Sequence, residues 1–146
     1  TCRTTGYRDE PLIGPIFEGG HDLGLVVVGG YLYRGPSVPE LQGRCIFGYW
    51  TDSRAVGNGI LLVATPPEGW HEGERPGTAA DLNAEGNTMW RSQKLKVTGH
   101  TDEFLGMFVR GFGMDANQDM YVVTNDAGGP DASTSTGKVW KIVSPQ

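Results

Sequence analysis

Apolar residues in this chain fall in short runs, and no apolar stripe of helical spacing extends beyond a turn or two. Between residues 139 and 143, valine and lysine alternate with tryptophan and isoleucine, which is the period-two pattern of a strand. The unbroken apolar runs at 23–28 and 59–65 are typical of strands covered on both faces. The pattern predicts an all-β protein built from antiparallel sheets.

Turn-forming residues divide the chain into strands and connections. The sequence contains 23 glycines and 9 prolines, and this glycine share is well above the average of about 7%. Residues 1–22 are expected to form an extended connection, because they offer few apolar side chains to bury. The Asn58-Gly59 turn signal makes residues 44–65 a hairpin with a long loop. Strands are predicted near 25–34, 44–50, 59–65 and 92–97, and then at 104–114, 120–125 and 138–143.

The segment 66–88 is predicted to be a long loop, since it is rich in charged, proline and glycine residues. Trp70 and His71 are its candidates for contact with the rest of the chain. They either anchor a ligand or pin the loop to the body of the protein. Both interpretations stay open at this point.

Charge and composition exclude several classes of function. The net charge is −5 and the basic residues are scattered, which argues against binding to nucleic acid. No stretch approaches the ~20 apolar residues that span a bilayer, and no signal region opens the sequence, so we expect a processed chain or a piece of a longer one. Cys2 and Cys45 either form one disulfide or leave Cys45 as a buried thiol.

Two stretches carry a resemblance to a known family. Tyr-Leu-Tyr-Arg-Gly at 31–35, Pro-Glu-Leu-Gln-Gly-Arg at 39–44 and Phe-Gly at 47–48 resemble the penultimate blade of the glucose/sorbosone dehydrogenase family. The segments 113–125 and 137–143 are similar to the closing blade of that family. The resemblance implies a six-bladed β-propeller that is secreted or periplasmic. Many members oxidise sugars with pyrroloquinoline quinone, whereas members like the Hedgehog-interacting protein are binding proteins.

Counted against this family, the chain supplies about two antiparallel propeller blades. Residues 23–98 form a four-stranded blade, and residues 99–146 form an incomplete closing blade with three strands. The chain is therefore expected to be the C-terminal portion of a larger propeller. Another polypeptide, or further copies of this one, are the partners expected to complete the ring.

The resemblance also implies where a quinone would bind. Quinone-using members carry a lysine and a pair of arginines that neutralise the carboxylates of the cofactor. In this sequence the lysine position is Thr51, and Arg110 alone lies near the arginine pair, with Arg34 as a second candidate. The usual Phe-Gly-Asp is here completed by Tyr49, and the catalytic histidine of the family belongs to an earlier blade. Catalytic residues are thus unknown, and we expect the isolated chain neither to bind the quinone tightly nor to oxidise sugars.

One spacing points to calcium. Asp115, Asn117 and Asp119 have the D-x-N-x-D spacing of a calcium loop, although the glycine at position six is replaced by Met120. Aspartate and asparagine also favour plain turns, because their side chains bond to nearby backbone. Calcium ligation and a structural turn are both retained as interpretations. The same choice applies to a second oxygen-rich loop, which contains Asn125, Asp126 and Asp131.

Two classes of function remain. The first is part of a quinone-dependent sugar or aldehyde dehydrogenase, in which the protein orients the cofactor and supplies charge. The second is a non-catalytic propeller module that binds or assembles within a larger complex. Basic residues and a histidine facing the channel in the upstream blades would distinguish the first class from the second.

Overall fold

The computed structural model describes residues 3–52, 57–74, 89–100, 104–129 and 135–145. These ranges contain seven strands in two antiparallel sheets and one 3-10 turn at Pro39–Leu41, with no α-helix. The prediction of an all-β, antiparallel chain is confirmed. The strands are β1 (Val27–Leu32), β2 (Cys45–Tyr49), β3 (Ile60–Thr65), β4 (Arg91–Lys94), β5 (Phe108–Met114), β6 (Met120–Asn125) and β7 (Lys138–Lys141).

The first sheet has the strand order β1-β2-β3-β4. β2 and β3 form the predicted antiparallel hairpin, in which Cys45 pairs with Ala64 and Tyr49 pairs with Ile60. β3 is buried along almost its whole length, as its unbroken apolar run predicts, because it has a strand on each side and both of its faces are covered. β4 is polar and alternately exposed, which suits its place at the outer edge.

The second sheet has the order β5-β6-β7. A tight turn joins β5 to β6, and Gln118 takes a positive φ of 65° within it. The register of β5 shifts between Val109 and Gly111, so Arg110 occupies a bulge. β7 pairs with β6 on one side, with Trp140 opposite Val122, and all four of its residues are exposed.

The core lies between the two sheets. Ile46 and Val63 of the first sheet belong to the same buried cluster as Met120 of β6. Leu61 of β3 packs in a second cluster with Val109 of β5 and with Val122. Full burial of each such side chain contributes about 1.5–3 kcal/mol, so these clusters hold the two sheets together. The first cluster also contains Tyr33, Val38 and Leu41, and the second contains Leu105 and Met107.

Apart from the end residues Thr65 of β3 and Arg91 of β4, both sheets belong to one compact unit, which comprises residues 19–64 and 92–146. A smaller unit comprises residues 1–18 and 65–91. Within the smaller unit, Trp70 packs edge-on against Trp90 with ring centroids 4.9 Å apart, and the backbone N–H of Trp90 donates to the Ile16 carbonyl. Trp70 therefore contacts Trp90 within this smaller unit, and the interpretation that it pins the loop to the body of the protein stays a prediction.

The prediction that residues 23–28 form a strand covered on both faces is wrong. β1 begins only at Val27, its residues alternate between exposed and half-buried, and Val26 and Val27 are about half exposed. Among the described residues β1 is an end strand, with a hydrogen-bonded strand on one side only. The apolar run resembles that of β3, but an unbroken run alone does not reveal whether a strand is central or at an edge.

Candidate functional site

A buried carboxylate joins three segments of the larger unit. Asp119 precedes β6 and is only 2% exposed. Its oxygens accept hydrogen bonds from the Tyr33 hydroxyl (3.1 Å), the Ser37 amide (3.0 Å) and the Ser37 hydroxyl (2.7 Å). Lys141 of β7 places its Nζ 2.8 Å from Asp119 Oδ2. A carboxylate with this many donors is well satisfied, which a buried charge requires.

Tyr33 links this carboxylate to the segment after β1. Its side chain is fully buried, and its oxygen accepts the Val38 amide (3.0 Å) while its hydroxyl donates to Asp119. Burial, followed by the hydrogen bond to Asp119, raises the pKa of Tyr33. Gly35 passes so close to Asp119 that any Cβ there would collide with the Asp119 backbone and carboxylate. The close approach explains the glycine at this position.

The charges in this cluster reinforce one another. The Lys141 ammonium, followed by the Ser37 hydroxyl, holds the pKa of Asp119 well below its usual value. In return, Asp119 raises the pKa of Lys141. Both groups therefore stay ionised over the ordinary pH range, and the cluster is chemically an ion pair with two hydroxyl donors.

The proposed calcium ligands lie in the turn between β5 and β6. Asp115 Oδ1 accepts the amides of Asn117 (2.9 Å) and Asp119 (3.0 Å), and Asp115 Oδ2 accepts the Tyr121 hydroxyl (3.1 Å). These are the hydrogen bonds of a structural turn, the second of the two interpretations. In the described part of the chain, no three acidic, histidine or cysteine side chains converge as a metal site. Calcium binding here stays a prediction.

Arg110 forms a separate cluster at the other end of the second sheet. Its Nε donates to Asn125 Oδ1 (2.8 Å), and its Nη2 donates to the Ala127 carbonyl. The guanidinium lies over the rings of Trp50 (5.7 Å) and Phe108 (5.8 Å). Those two rings stack with their centroids 5.0 Å apart. The exposed guanidinium is thus held on an aromatic platform by hydrogen bonds and cation–π contacts.

The residues around Trp50 in sequence differ in whether their polar atoms have hydrogen-bond partners. Thr51 is fully buried and its Oγ1 accepts the Asn58 amide (3.0 Å), so it has a structural role. In the described residues, the buried Trp50 Nε1 and Asp52 Oδ1 find no hydrogen-bond partner, and neither does the Tyr49 hydroxyl. These three unpaired atoms are buried, whereas the Arg110 guanidinium is exposed.

The structure does not bring the two candidate arginines together. Arg34 precedes Gly35, which packs against Asp119 at the beginning of β6, whereas Arg110 bonds to Asn125 at the end of β6. Six residues of extended chain separate these points, which is roughly 20 Å at about 3.3 Å per residue. The two guanidinium groups would reach different parts of a bound molecule.

Other sequence-predicted residues have ordinary structural contacts. Asp126 Oδ2 lies 3.9 Å from Lys138 Nζ, and Asp131 lies outside the described residues. The backbone N–H of His71 donates to Glu74 Oε2 (3.1 Å). Burial raises the pKa of the half-buried Cys45 thiol, and Cys2 also lies outside the described residues.

Sequence reasoning missed several members of both clusters. Tyr33, Ser37 and Lys141 had no local motif to mark them, since their bonds to Asp119 join distant segments. One signal was available, because an aspartate that enters an apolar strand needs a cation, and the alternating strand at 138–143 offers Lys141. Trp50 and Phe108 carry no such signal.

No family model matches this chain, and no solved structure matches it significantly. The resemblance to the glucose/sorbosone dehydrogenase family therefore rests on the sequence segments named above. In the described part of the chain, no helix is long and apolar enough to cross a membrane.

Proposed function

We propose that this chain forms two consecutive blades of a propeller similar to the glucose/sorbosone dehydrogenases, the second blade lacking its outer strand. The observation that carries the proposal is the succession of a four-stranded and a three-stranded antiparallel sheet. Their first strands, β1 and β5, contact each other, as inner strands of neighbouring blades do. In the first sheet the third strand, β3, pairs with β4 and is buried. In the second sheet the third strand, β7, is exposed.

The parent protein is proposed to oxidise sugars or aldehydes with a quinone cofactor, in a secreted or periplasmic location. Arg110 supports this role, because its guanidinium is exposed and is positioned by Asn125 and by the Trp50 ring. The cofactor would supply the redox chemistry, and this chain would supply one carboxylate contact. Arg34 would be a second, remote contact.

The buried Thr51 limits what the isolated chain can do. Each missing charge-assisted hydrogen bond costs roughly 1.5–3 kcal/mol, which weakens binding at least tenfold. Titration of the purified chain with pyrroloquinoline quinone and calcium should show no micromolar binding and no dye reduction with glucose. Micromolar binding that Arg110→Ala abolishes, and that the exposed control Arg91→Ala retains, would show that this chain contains most of the site.

A second function, a non-catalytic module for binding or assembly, is favoured by the exposed edge of β7. Val139, Trp140 and Val143 are all exposed at this edge. Exposed strand edges recruit other chains by main-chain pairing. Substitution of the upstream histidine base and channel-facing basic residues, if the parent has them, would abolish oxidation under the first function. A parent that has none of these residues would support the second function.

A further inference from the structure

Strand β7 buries little of its own surface. All four of its residues are exposed, and in the described part of the chain it pairs with a strand on one side only. Strands with few buried contacts open locally at a low free-energy cost, well below that of global unfolding. On its backbone pairing alone, β7 is expected to fray from β6 while the core of the larger unit stays folded.

Two side chains of β7 nevertheless bond to buried groups of β6 and of the turn that precedes it. Trp140 Nε1 donates to Thr124 Oγ1 (2.9 Å), and Thr124 is only 1% exposed. Lys141 Nζ lies 2.8 Å from Asp119 Oδ2, where it provides the cation for a buried carboxylate. Consecutive residues of a strand point to opposite faces, so these two bonds hold β7 from both faces of the sheet.

The residues that follow β7 continue this attachment. The Ile142 amide donates to the Met120 carbonyl (2.9 Å), and the Ile142 side chain packs against both core clusters. The Ser144 hydroxyl donates to the Ser37 carbonyl (3.2 Å), and Ser37 belongs to the segment that follows β1. Residues 138–144, here called the strap, therefore connect the second sheet to a segment of the first.

We propose that the strap opens only when the whole larger unit unfolds, and that Trp140 and Lys141 fix the register of β7. A slip of one residue would send both side chains to the opposite faces, and a slip of two would move each by roughly 7 Å relative to its partner. Separation of Lys141 from Asp119 would leave a buried carboxylate without its cation, which is costly. The consequence for assembly rests on the proposed function: an ordered β7 receives its outer strand without first having to be ordered itself.

A matched pair of lysine variants tests which side chains hold β7, with amide hydrogen exchange as the readout. Lys141→Met should speed exchange of the Ile142 amide at least tenfold, since a hydrogen bond to a charged group is lost. Lys138→Met makes the same change on the same strand, but Lys138 and Asp126 form an exposed pair 3.9 Å apart. It should therefore change the rate by less than about fivefold. Trp140→Phe, which deletes only the indole donor, should speed exchange roughly threefold to tenfold, and it decides the matter if Lys141→Met does not fold. Equal rates in the two lysine variants, or an unchanged rate in Trp140→Phe, would refute these roles.

Exchange on the wild-type chain at low guanidinium concentrations tests the rigidity itself. The Ile142 amide faces β6, and so does that of Trp140, because the direction alternates along an antiparallel strand. Both should exchange within about tenfold of the slowest amides of the central strands β2 and β3, since global unfolding is their only route. Exchange faster than this would show that β7 frays and would overturn the proposal, while the two-blade proposal would stand. A parent protein without a ring of blades would refute the two-blade proposal and leave the rigidity of β7 intact.

Discussion

Removal of the Tyr33 hydroxyl tests whether the buried cluster around Asp119 stabilises the fold. The substitution Tyr33→Phe keeps the ring and its packing but deletes the acceptor of the Val38 amide and one donor to Asp119. Val38 is itself buried, so no water replaces the lost acceptor readily. A buried group left without a partner costs about 1–3 kcal/mol.

The two lost bonds are not equivalent, and the difference sets the expected magnitude. Asp119 retains the Ser37 and Lys141 donors, so most of the cost comes from the Val38 amide. We expect the free energy of unfolding to fall by about 2 kcal/mol. For a chain of this size the corresponding fall in Tm is about 4–8 °C.

The assay is guanidinium-induced unfolding followed by tryptophan fluorescence, with Tyr31→Phe as the control. Tyr31 lies two residues away on β1 and is 40% exposed, so loss of its hydroxyl should change stability by less than about 0.5 kcal/mol. Equal stability of the two variants would refute the reasoning. It would mean that the hydrogen bonds of the Tyr33 hydroxyl stabilise the fold no more than its hydrogen bonds to water stabilise the unfolded chain.

Three further predictions concern the same cluster. The pKa of Asp119 is lowered from 3.8 in the folded state, so its contribution to folding stability is present above pH 4 and is lost as pH falls through the folded pKa. Melting scans should therefore show a steeper loss of Tm on the acid side for wild type than for Asp119→Asn. The pKa of Lys141 is raised above 10.5, so its contribution to folding stability is lost only at strongly alkaline pH. Titration of Lys141 should therefore cause no change in Tm near neutral pH. Gly35→Ala should lower stability by about 2 kcal/mol or more, since its Cβ meets Asp119, whereas Gly113→Ala, which has open space, should be nearly neutral in the same melts.

Local signals in the sequence predicted most of the strands. The hairpin of β2 and β3 lies within two residues of its predicted bounds, because β-branched runs and the Asn58-Gly59 signal depend on neighbouring residues only. The turn at Asp115–Asp119 was predicted as one of two interpretations, because turn formation by aspartate and asparagine also depends on neighbouring residues only. β1 was placed too early, since an apolar run at 23–28 carries no information on which faces other strands will cover.

The site was less predictable because its contacts join distant parts of the chain. Ser37 and Tyr33 lie 82 and 86 residues from Asp119, and their meeting depends on how the two sheets pack. The same holds for Arg110 and the Trp50 ring, which come together only when β5 packs beside the end of β2. The family resemblance made Arg110 a candidate and the D-x-N-x-D spacing made Asp119 one, but tertiary packing determines their partners.

The central proposal is that this chain forms two adjacent propeller blades, the second of which receives its outer strand from another segment. Electron cryomicroscopy of the longest natural protein that carries this sequence tests it most directly. The account predicts a ring in which residues 27–94 and 108–141 form neighbouring blades, with β1 and β5 lining a central channel and another strand covering β7. A closed two-sheet sandwich without a channel, in which β7 remains an edge, would contradict it.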